Sequence, residues 1–404
     1  MSAVYLYDDA CARTFEPFAL TRPAGEMRAG ALLVRERWAM ALGNPVAGHV
    51  TAPHLAGFEE PGSAPVITTG VIPRGSWLAN ARFAPAIVPV GEPDELIAGE
   101  KLVAVRLAND VDVSHLLDGT ANIGTFAYRS ETIHEVASGH GWWMREVWDY
   151  VGQLVEMLQH DLPILGASMS SALPAGSFAT GEHSLYVEEG AVVEPSVFFD
   201  LTAGPVLLRA GSHVQAFTRL VGPLHVGKDS TVTGDRIASS SIGDVCKVHG
   251  ELSNTIFIGH ANKGHDGFVG HSILGRWVNL GAGTITSNLK NTYGTVTLWT
   301  PDGVRDTGLQ FLGTMFGDHA KTGIGLRLTT GSVLGTGSNV YGSEMPPKVV
   351  APFSWGEAGA FSEYRLDKFL DVAARMMSRR HITLSATGRR QLAASHGARW
   401  TVTE

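Results

Sequence analysis

The side chains best suited to chemistry in this sequence cluster between Lys263 and Lys290. His271 follows Gly270, where backbone can approach a ligand closely. An imidazole of near-neutral pKa is the natural base for an ammonium nucleophile, which must lose a proton before it attacks an acyl donor. A corner histidine hydrogen-bonded to a neighbouring turn of chain is the alternative. Asn279 and Asn288 bracket Gly281-Ala282-Gly283. Their amides can orient the hydroxyls or the amine of a sugar; inside repeating coils asparagines also form ladders. Lys263, Arg276 and Lys290 supply charge for a phosphate, or are solvated surface charges. His249, His260, His265 and His271, with Asp266, match no tight metal-ligand spacing, and Cys246 is the nearest thiol, so a metal is not expected there. His319, after Asp318, is a second functional histidine or a corner residue.

A second group lies near the N-terminus. Pro17 to Gly30 reads as a loop running into a helix and carries Arg22 and Arg28. Guanidinium pairing and a helix N-terminus can together hold a phosphate; alternatively the two arginines pair with Asp8, Asp9 or Glu26. No Walker A pattern and no G-x-G-x-x-G is present. Asp8, Asp9 and Asp110 are the carboxylates at hand for a metal, with nothing in their spacing to select among them.

The element that must position His271 is a repeat. Leu274-Gly275 and Leu280-Gly281 stand six residues apart, with Thr286 in the same phase. Leu208, Val214, Leu220, Val226 and Val232 keep that phase over five steps; Val187, Val193 and Phe199 precede them, Ile242 and Val248 follow, and Leu328, Leu334 and Val340 resume it. A six-residue aliphatic period is neither helical nor a simple strand alternation. It predicts a hexapeptide parallel β-helix, in which each hexad is a short strand and a corner; an antiparallel sandwich of evenly spaced strands is the alternative. Thr295 to Thr300 and the turn Pro301-Asp302-Gly303 predict a hairpin or arm leaving the stack. Pro346, Pro347 and Pro352 are expected to close the repeat, and Ser362 to Arg380 predicts an amphipathic helix with Leu366, Phe369, Leu370, Ala373, Met376 and Met377 on its apolar stripe. A short helix is expected over 388–394.

Residues 1–160 read as mixed α/β. Ala3 to Tyr7, Pro65 to Thr69 and Lys101 to Arg106 are expected strands, Glu26 to Leu42 a helix stopped by Gly43-Asn44-Pro45, and Trp77 to Phe83 a substrate loop. Helical patterning from Ile133 to Gln159 is expected to link the two parts. Composition fits this division: hydrophobic content is 44%, enough for a real core, and glycine is 48 of 404 residues, above the usual ~7% and concentrated where corners would need it. A net charge of −8 speaks against nucleic acid or an anionic membrane as partner. Two distant cysteines, no apolar leader and no run of ~18 apolar residues are consistent with a cytoplasmic protein.

GHSILG (270–275) and VNLGAGTITSN (278–288) resemble the acetyltransferase half of the bifunctional enzyme that makes UDP-N-acetylglucosamine. The whole chain looks closer still to a divergent GlmU-like group of sugar nucleotidyltransferases, through LTRP and RAG…RERW (15–38), ANKGHDG (261–267), NLKNTYG (288–294), TGLQFLGTMFGDHAKT (307–322) and PPK…FSWGE (346–357). The resemblance implies a left-handed parallel β-helix that trimerises, with His271 as base on glucosamine-1-phosphate, Asn279 and Asn288 near the sugar, and backbone at Ala282 and Gly283 facing acetyl-CoA held between subunits. Leu289 stands where the family has tyrosine, and Lys290 only loosely meets the family's lysine. The Gly-rich loop of the uridylyltransferase half is missing: Leu6 to Arg13 reads LYDDACAR. Arg13, Arg22 and Arg28 would then take over the phosphates, with Mg2+ if that half is active. The expectation is therefore a reduced nucleotidyltransferase-like α/β domain (1–165), a β-helix acyltransferase-like domain (170–355) and a helical tail (356–404). It is a homotrimeric transferase acting on a sugar phosphate and a nucleotide. Two other readings stay open: nucleotidyl transfer alone on a β-helix scaffold, and a nucleotide-sugar sensor without turnover.

Overall fold

The computed structural model describes residues 2–91, 93–128, 133–136 and 140–402. The chain forms two compact units, residues 1–149 with 385–398, and residues 150–384 with 399–404.

The first unit is built on a six-stranded mixed sheet. Val4–Tyr7 runs parallel to Trp77–Asn80 on one side and to Val46–Val50 on the other. Lys101–Arg106 lies antiparallel to Trp77–Asn80, and Glu95–Ala98 and Ile133–Val136 complete the sheet. A strand with neighbours on both sides and cover on both faces reads as an unbroken apolar run, as VYLY does. Three expectations need correction. The Trp77 to Phe83 segment is a buried strand followed by a second one, Phe83–Pro85, and not a loop; Trp77 and Leu78 are core residues. Pro65 to Thr69 contributes only a single bridge, Val66 to His49. The helix is shorter than its periodicity suggests, Val34–Leu42, because Arg28–Ala29 folds back on Leu32–Leu33 through Gly30 at φ +63°. It does end at Gly43 in the left-handed region, as expected.

The expected helix over 133–159 is also corrected. Ile133–Val136 and Gly141–Trp143 are strands, residues 137–139 lie outside the described residues, and helix begins at Asp149–Gly152 and continues as Leu154–Gly166. The latter buries Leu154, Met157, Leu158 and Leu162 against the first coils of the second unit.

That second unit is a three-faced parallel β-helix, the architecture the six-residue phase predicts. One face runs from Phe178–Thr180 to Val269–Gly270, the next from Leu185–Val187 to Val349–Val350, and the third from Val192–Val193 to Asn262–Lys263. A regular coil takes three hexads, so His213 pairs with Thr231, eighteen residues on. Later coils contract, with Ser241 opposite Ile256. Leu208, Val214, Leu220, Val226 and Val232 all point into one column with no exposed surface, and Ile242, Val248, Leu274, Leu280, Leu328, Leu334 and Val340 extend it. Corners place one residue per coil at positive φ: Ser239, Asn254 and His271 stack at one edge, and Asp229, Val245, His260, Trp277 and His319 at another. For residues other than glycine this region costs about 1–2 kcal/mol, which the ladder of inter-coil bonds must overcome.

The arm is present as an antiparallel hairpin, Thr297–Thr300 with Gly303–Asp306. The prolines at 346 and 347 do not close the stack, since Val349–Val350 and Ser354–Glu357 add to it. Helix Leu366–Ser378 buries Phe369, Ala373 and Met377; Phe369 meets Phe353 at 5.0 Å and His319 at 5.5 Å. The last helix, Ala386–Gly397, is capped by Ser385 and packs in the first unit against Pro53–Leu55. Phe257→Ala, which empties a fully buried place in the column, is expected to cost ~3–5 kcal/mol in urea unfolding.

Candidate active site

His271 is fixed by its corner before its ring is considered. Its N–H donates to the Ser253 carbonyl at 2.8 Å, and its carbonyl accepts from Gly313 N–H at 2.9 Å. The jump in numbering between these partners marks the arm. The chain leaves the stack after Asn288 and returns at Leu312–Gly313, where Leu312 N–H donates to the Asn288 carbonyl. The arm thus closes beside His271 and delivers two side chains to it. Asn288 brings its amide to within 2.9 Å of His271 Nδ1, and Phe311 stacks on the imidazole at 5.3 Å with planes 24° apart. A methyl group at Gly270 would lie 2.7 Å from the Asn288 amide and 2.5 Å from the Phe268 ring, so only glycine leaves room for this arrangement. Burial pushes the His271 pKa down to about 4.

Two arrangements satisfy the 2.9 Å contact. The Asn288 amide can donate to Nδ1, which leaves the ring proton on Nε2. Turned over, its oxygen accepts from Nδ1–H, and Nε2 carries the lone pair. A base needs the second, because the first leaves no free lone pair on the ring.

The other predicted site residues lie elsewhere in the unit. Asn279 sits on the third face, bridged to Asn262 and Lys321, and its Oδ1 accepts from the Asn262 amide at 2.7 Å. Ala282 and Gly283 border an open groove of about 730 Å³ with Gly264, His265 and Gly325. The Gly283 N–H donates to Asp266 O, and the Ala282 carbonyl accepts from Gly325. Lys263 is buried, and its ammonium donates to the carbonyls of His249 and His265; burial pushes its pKa down to about 8. Lys290 donates to the Thr295 carbonyl across the base of the arm. One chain therefore brings together His271 and Asn288, and sets Asn279 on a wall and Ala282–Gly283 at a different groove.

Sequence spacing concealed one cluster. His249 with Asp235 and Asp266, from successive coils, offers ligand atoms within 4.8 Å of one another. Coil stacking, and not sequence spacing, assembles it. His249 Nε2 and Asp266 Oδ1 already lie within hydrogen-bond distance, at 2.9 Å. A divalent cation fits this trio by donor type.

In the first unit the three arginines expected at the phosphates are engaged by the chain itself, Arg22 and Arg28 buried and Arg13 half-buried. Arg13 donates to the carbonyls of Asp8, Leu116 and Leu117. Arg22 is buried, donates to Glu26 O and lies 3.8 Å from Glu60. Arg28 is buried and donates to Ala31 O. Of the carboxylates at the end of the Val4–Tyr7 strand, Asp9 is fully engaged, and Asp8 is engaged through Oδ2 while its buried Oδ1 has no hydrogen-bond partner among the described residues. Asp8 is buried, accepts from Thr51 and Ala24, and its pKa is raised by burial. Asp9 is clasped by Arg82 at 2.7 and 2.6 Å and by Asn80 at 2.9 Å; despite its partial burial these partners hold its pKa below the usual value. Asp110 accepts from Arg74 N–H. Arg82 escapes a sequence reading because it lies in what looks like a loop.

The family model for sugar nucleotidyl transferase matches residues 4–169. The chain is 30% identical over 163 residues to the bifunctional protein GlmU of Bartonella quintana (strain Toulouse), a match that covers 38% of this chain and 31% of that protein. The chain thus matches about a third of the length of this curated relative.

Selectively labelled histidine observed by NMR is expected to show His271 neutral from pH 8 down to 5, with its proton on Nδ1. Its lowered pKa also carries a sign for stability. The folded state binds a proton less readily than the unfolded chain, whose imidazole titrates near ~6.5. His271 therefore opposes folding increasingly as pH falls from about 6.5 towards 4. Titration of His271 at the exposed value is the contrary result.

Proposed function

We propose that this GlmU-like chain, whose residues 4–169 match the sugar nucleotidyl transferase family model, transfers an acetyl group from acetyl-CoA to an amino-sugar 1-phosphate at the β-helix. The observation that carries the proposal is the seating of His271 between Asn288 and Phe311. Asn288 accepts from Nδ1–H and so presents the Nε2 lone pair. Phe311 and the closing arm keep water from the ring, which lowers its pKa and keeps it in the base form at neutral pH. The amine then loses its proton to Nε2 and attacks the thioester carbonyl. The C–N bond forms, the C–S bond breaks, and the thiol leaves with a proton.

The scatter of the remaining residues supports a homotrimer. Asn279 and the Ala282–Gly283 groove are remote in the coil frame from the His271 corner of the same chain, so a complete site needs walls from neighbouring copies. In that assembly Asn279 meets the sugar, the groove takes acetyl-CoA, and Lys290 is the cation closest in sequence to Asn288 for the phosphate. Among the described residues no helix is long and apolar enough to cross a membrane.

A second reading is favoured by the family match: nucleotidyl transfer from a nucleoside triphosphate to a sugar 1-phosphate in the first unit, with the β-helix as scaffold. The carboxylates there offer a resident Mg2+ little: Asp9 spends both oxygens on Arg82 and Asn80, and of Asp8, whose Oδ2 accepts from Thr51 and Ala24, only the buried Oδ1 has no hydrogen-bond partner among the described residues. No step is assigned to a metal.

Thiol release from acetyl-CoA with glucosamine-1-phosphate tests the first reading. His271→Ala is expected to lower kcat by about 10²–10⁴-fold, with thermal stability kept. Pyrophosphate release from UTP that is indifferent to His271→Ala, with no thiol release by the wild type, favours the second.

A further inference from the structure

Helix Leu366–Ser378 has a second stripe besides the one that packs. Lys368, Val372, Arg375 and Arg379 follow one another at steps of four, three and four, so they share one side of the helix. That side borders two depressions, which share Val372 and Arg375. The first holds about 300 Å³ and is lined by Asn279, Lys321, Met376 and Arg379 besides the shared pair. The second holds about 360 Å³, and Trp355, Tyr364 and Lys368 stand in its wall.

The first depression is cationic and has no carboxylate in its lining. Among the described residues the Lys321 ammonium donates to the His319 carbonyl alone, at 3.0 Å. Among the described residues Lys321, Arg375 and Arg379 form no ion pair; the acidic neighbours Asp367 and Glu363 are taken by Arg365 and Arg399. Lys321 with the exposed Arg375 and Arg379 gives this depression a positive potential that attracts an anionic ligand, Asp371 one turn before Arg375 being the nearest remaining acid on the helix. Burial has already pushed the Lys321 pKa down to about 8. The second depression offers an aromatic surface: Trp355 meets Tyr364 edge-on at 4.7 Å and is 38% exposed, enough for a flat ring to lie against it.

We propose that this groove binds a nucleoside phosphate, with its phosphates among Lys321, Arg375 and Arg379 and its base against Trp355. The two depressions together are within the size range of small-ligand sites. The helix contributes Arg375 and its C-terminal neighbour Arg379 to the phosphate end, while Lys321 and Trp355 come from strands of the β-helix. A free nucleotide and the nucleotide end of coenzyme A share the required chemistry. The inference does not depend on acetyl transfer, and a silent His271 assay leaves it standing.

Hydrogen–deuterium exchange on the full-length protein reads this groove apart from any nucleotide bound by the first unit. Millimolar ADP is expected to slow exchange in 354–364 and 366–378, with an apparent affinity at least tenfold above those of adenosine and of pyrophosphate. Lys321→Met with Arg379→Gln is expected to weaken that protection at least tenfold. Arg375→Gln, at an exposed position, repeats the test should the double variant fold poorly. Coenzyme A in a parallel arm distinguishes the two sources: protection tighter than with ADP assigns the groove to the acyl donor, and equal or weaker protection assigns it to a free nucleotide. Absence of protection by both ligands overturns the proposal. So does equal protection by pyrophosphate and ADP, protection unchanged in the variants, or protection that follows protein concentration alone, which would mark the groove as a contact between copies.

Discussion

The constraint on which the second unit depends is that every coil must bond to the coil before it and the coil after it. Strands of two or three residues cannot stand alone. They persist because Val206 to Leu208 pairs with Leu224 to Val226, which pairs onward in turn, while one aliphatic side chain per hexad fills the column inside. The corners then have no freedom, and even Val245 and Trp277 are driven to positive φ. His271 inherits its place from this rule. It occupies the corner that Asn254 and Ser239 occupy one and two coils earlier, and its backbone is that of any other corner.

What is peculiar is the interruption. At the next coil the chain leaves for the Thr297–Asp306 hairpin and returns at Gly313. The departure and return bring Asn288 and Phe311 to the imidazole. A regular solenoid offers flat walls; a break in it offers a recess. The low pKa of His271 follows from that enclosure, and the Asn288 amide is the group that sets which ring nitrogen carries the proton. In the first unit, the arginines that seem available for phosphate are consumed in holding the loops, as Arg13 is on three carbonyls. The chemistry of the two units therefore rests on different footings.

The β-helix was legible because its period is strictly local: a residue six positions on has the same inward direction, so Leu208 to Val232 announces the column directly. His271 and Asn288 were each singled out from the sequence, Asn288 with Asn279 for a sugar; its contact with the His271 ring is decided by the return of the arm and was not legible. The fold of residues 26–33 and 65–85 was not legible, because a hairpin at Gly30 and the burial of Trp77 are decided by contacts distant in sequence. Of the trio Asp235, His249 and Asp266, the sequence offers His249 and Asp266 but no ligand spacing, and Asp235 is not legible, since contracted coils change the sequence distance between stacked neighbours. Separation of Asn279 from His271 follows from counting: eight residues along a hexad frame turn the chain past a corner onto another face.

The most direct test of His271 as the base is chemical rescue of His271→Ala in single-turnover acetyl transfer. The account predicts a slow variant whose rate returns with added imidazole, in proportion to the free-base fraction as pH is varied. A variant that transfers acetyl at the wild-type rate without imidazole would contradict it.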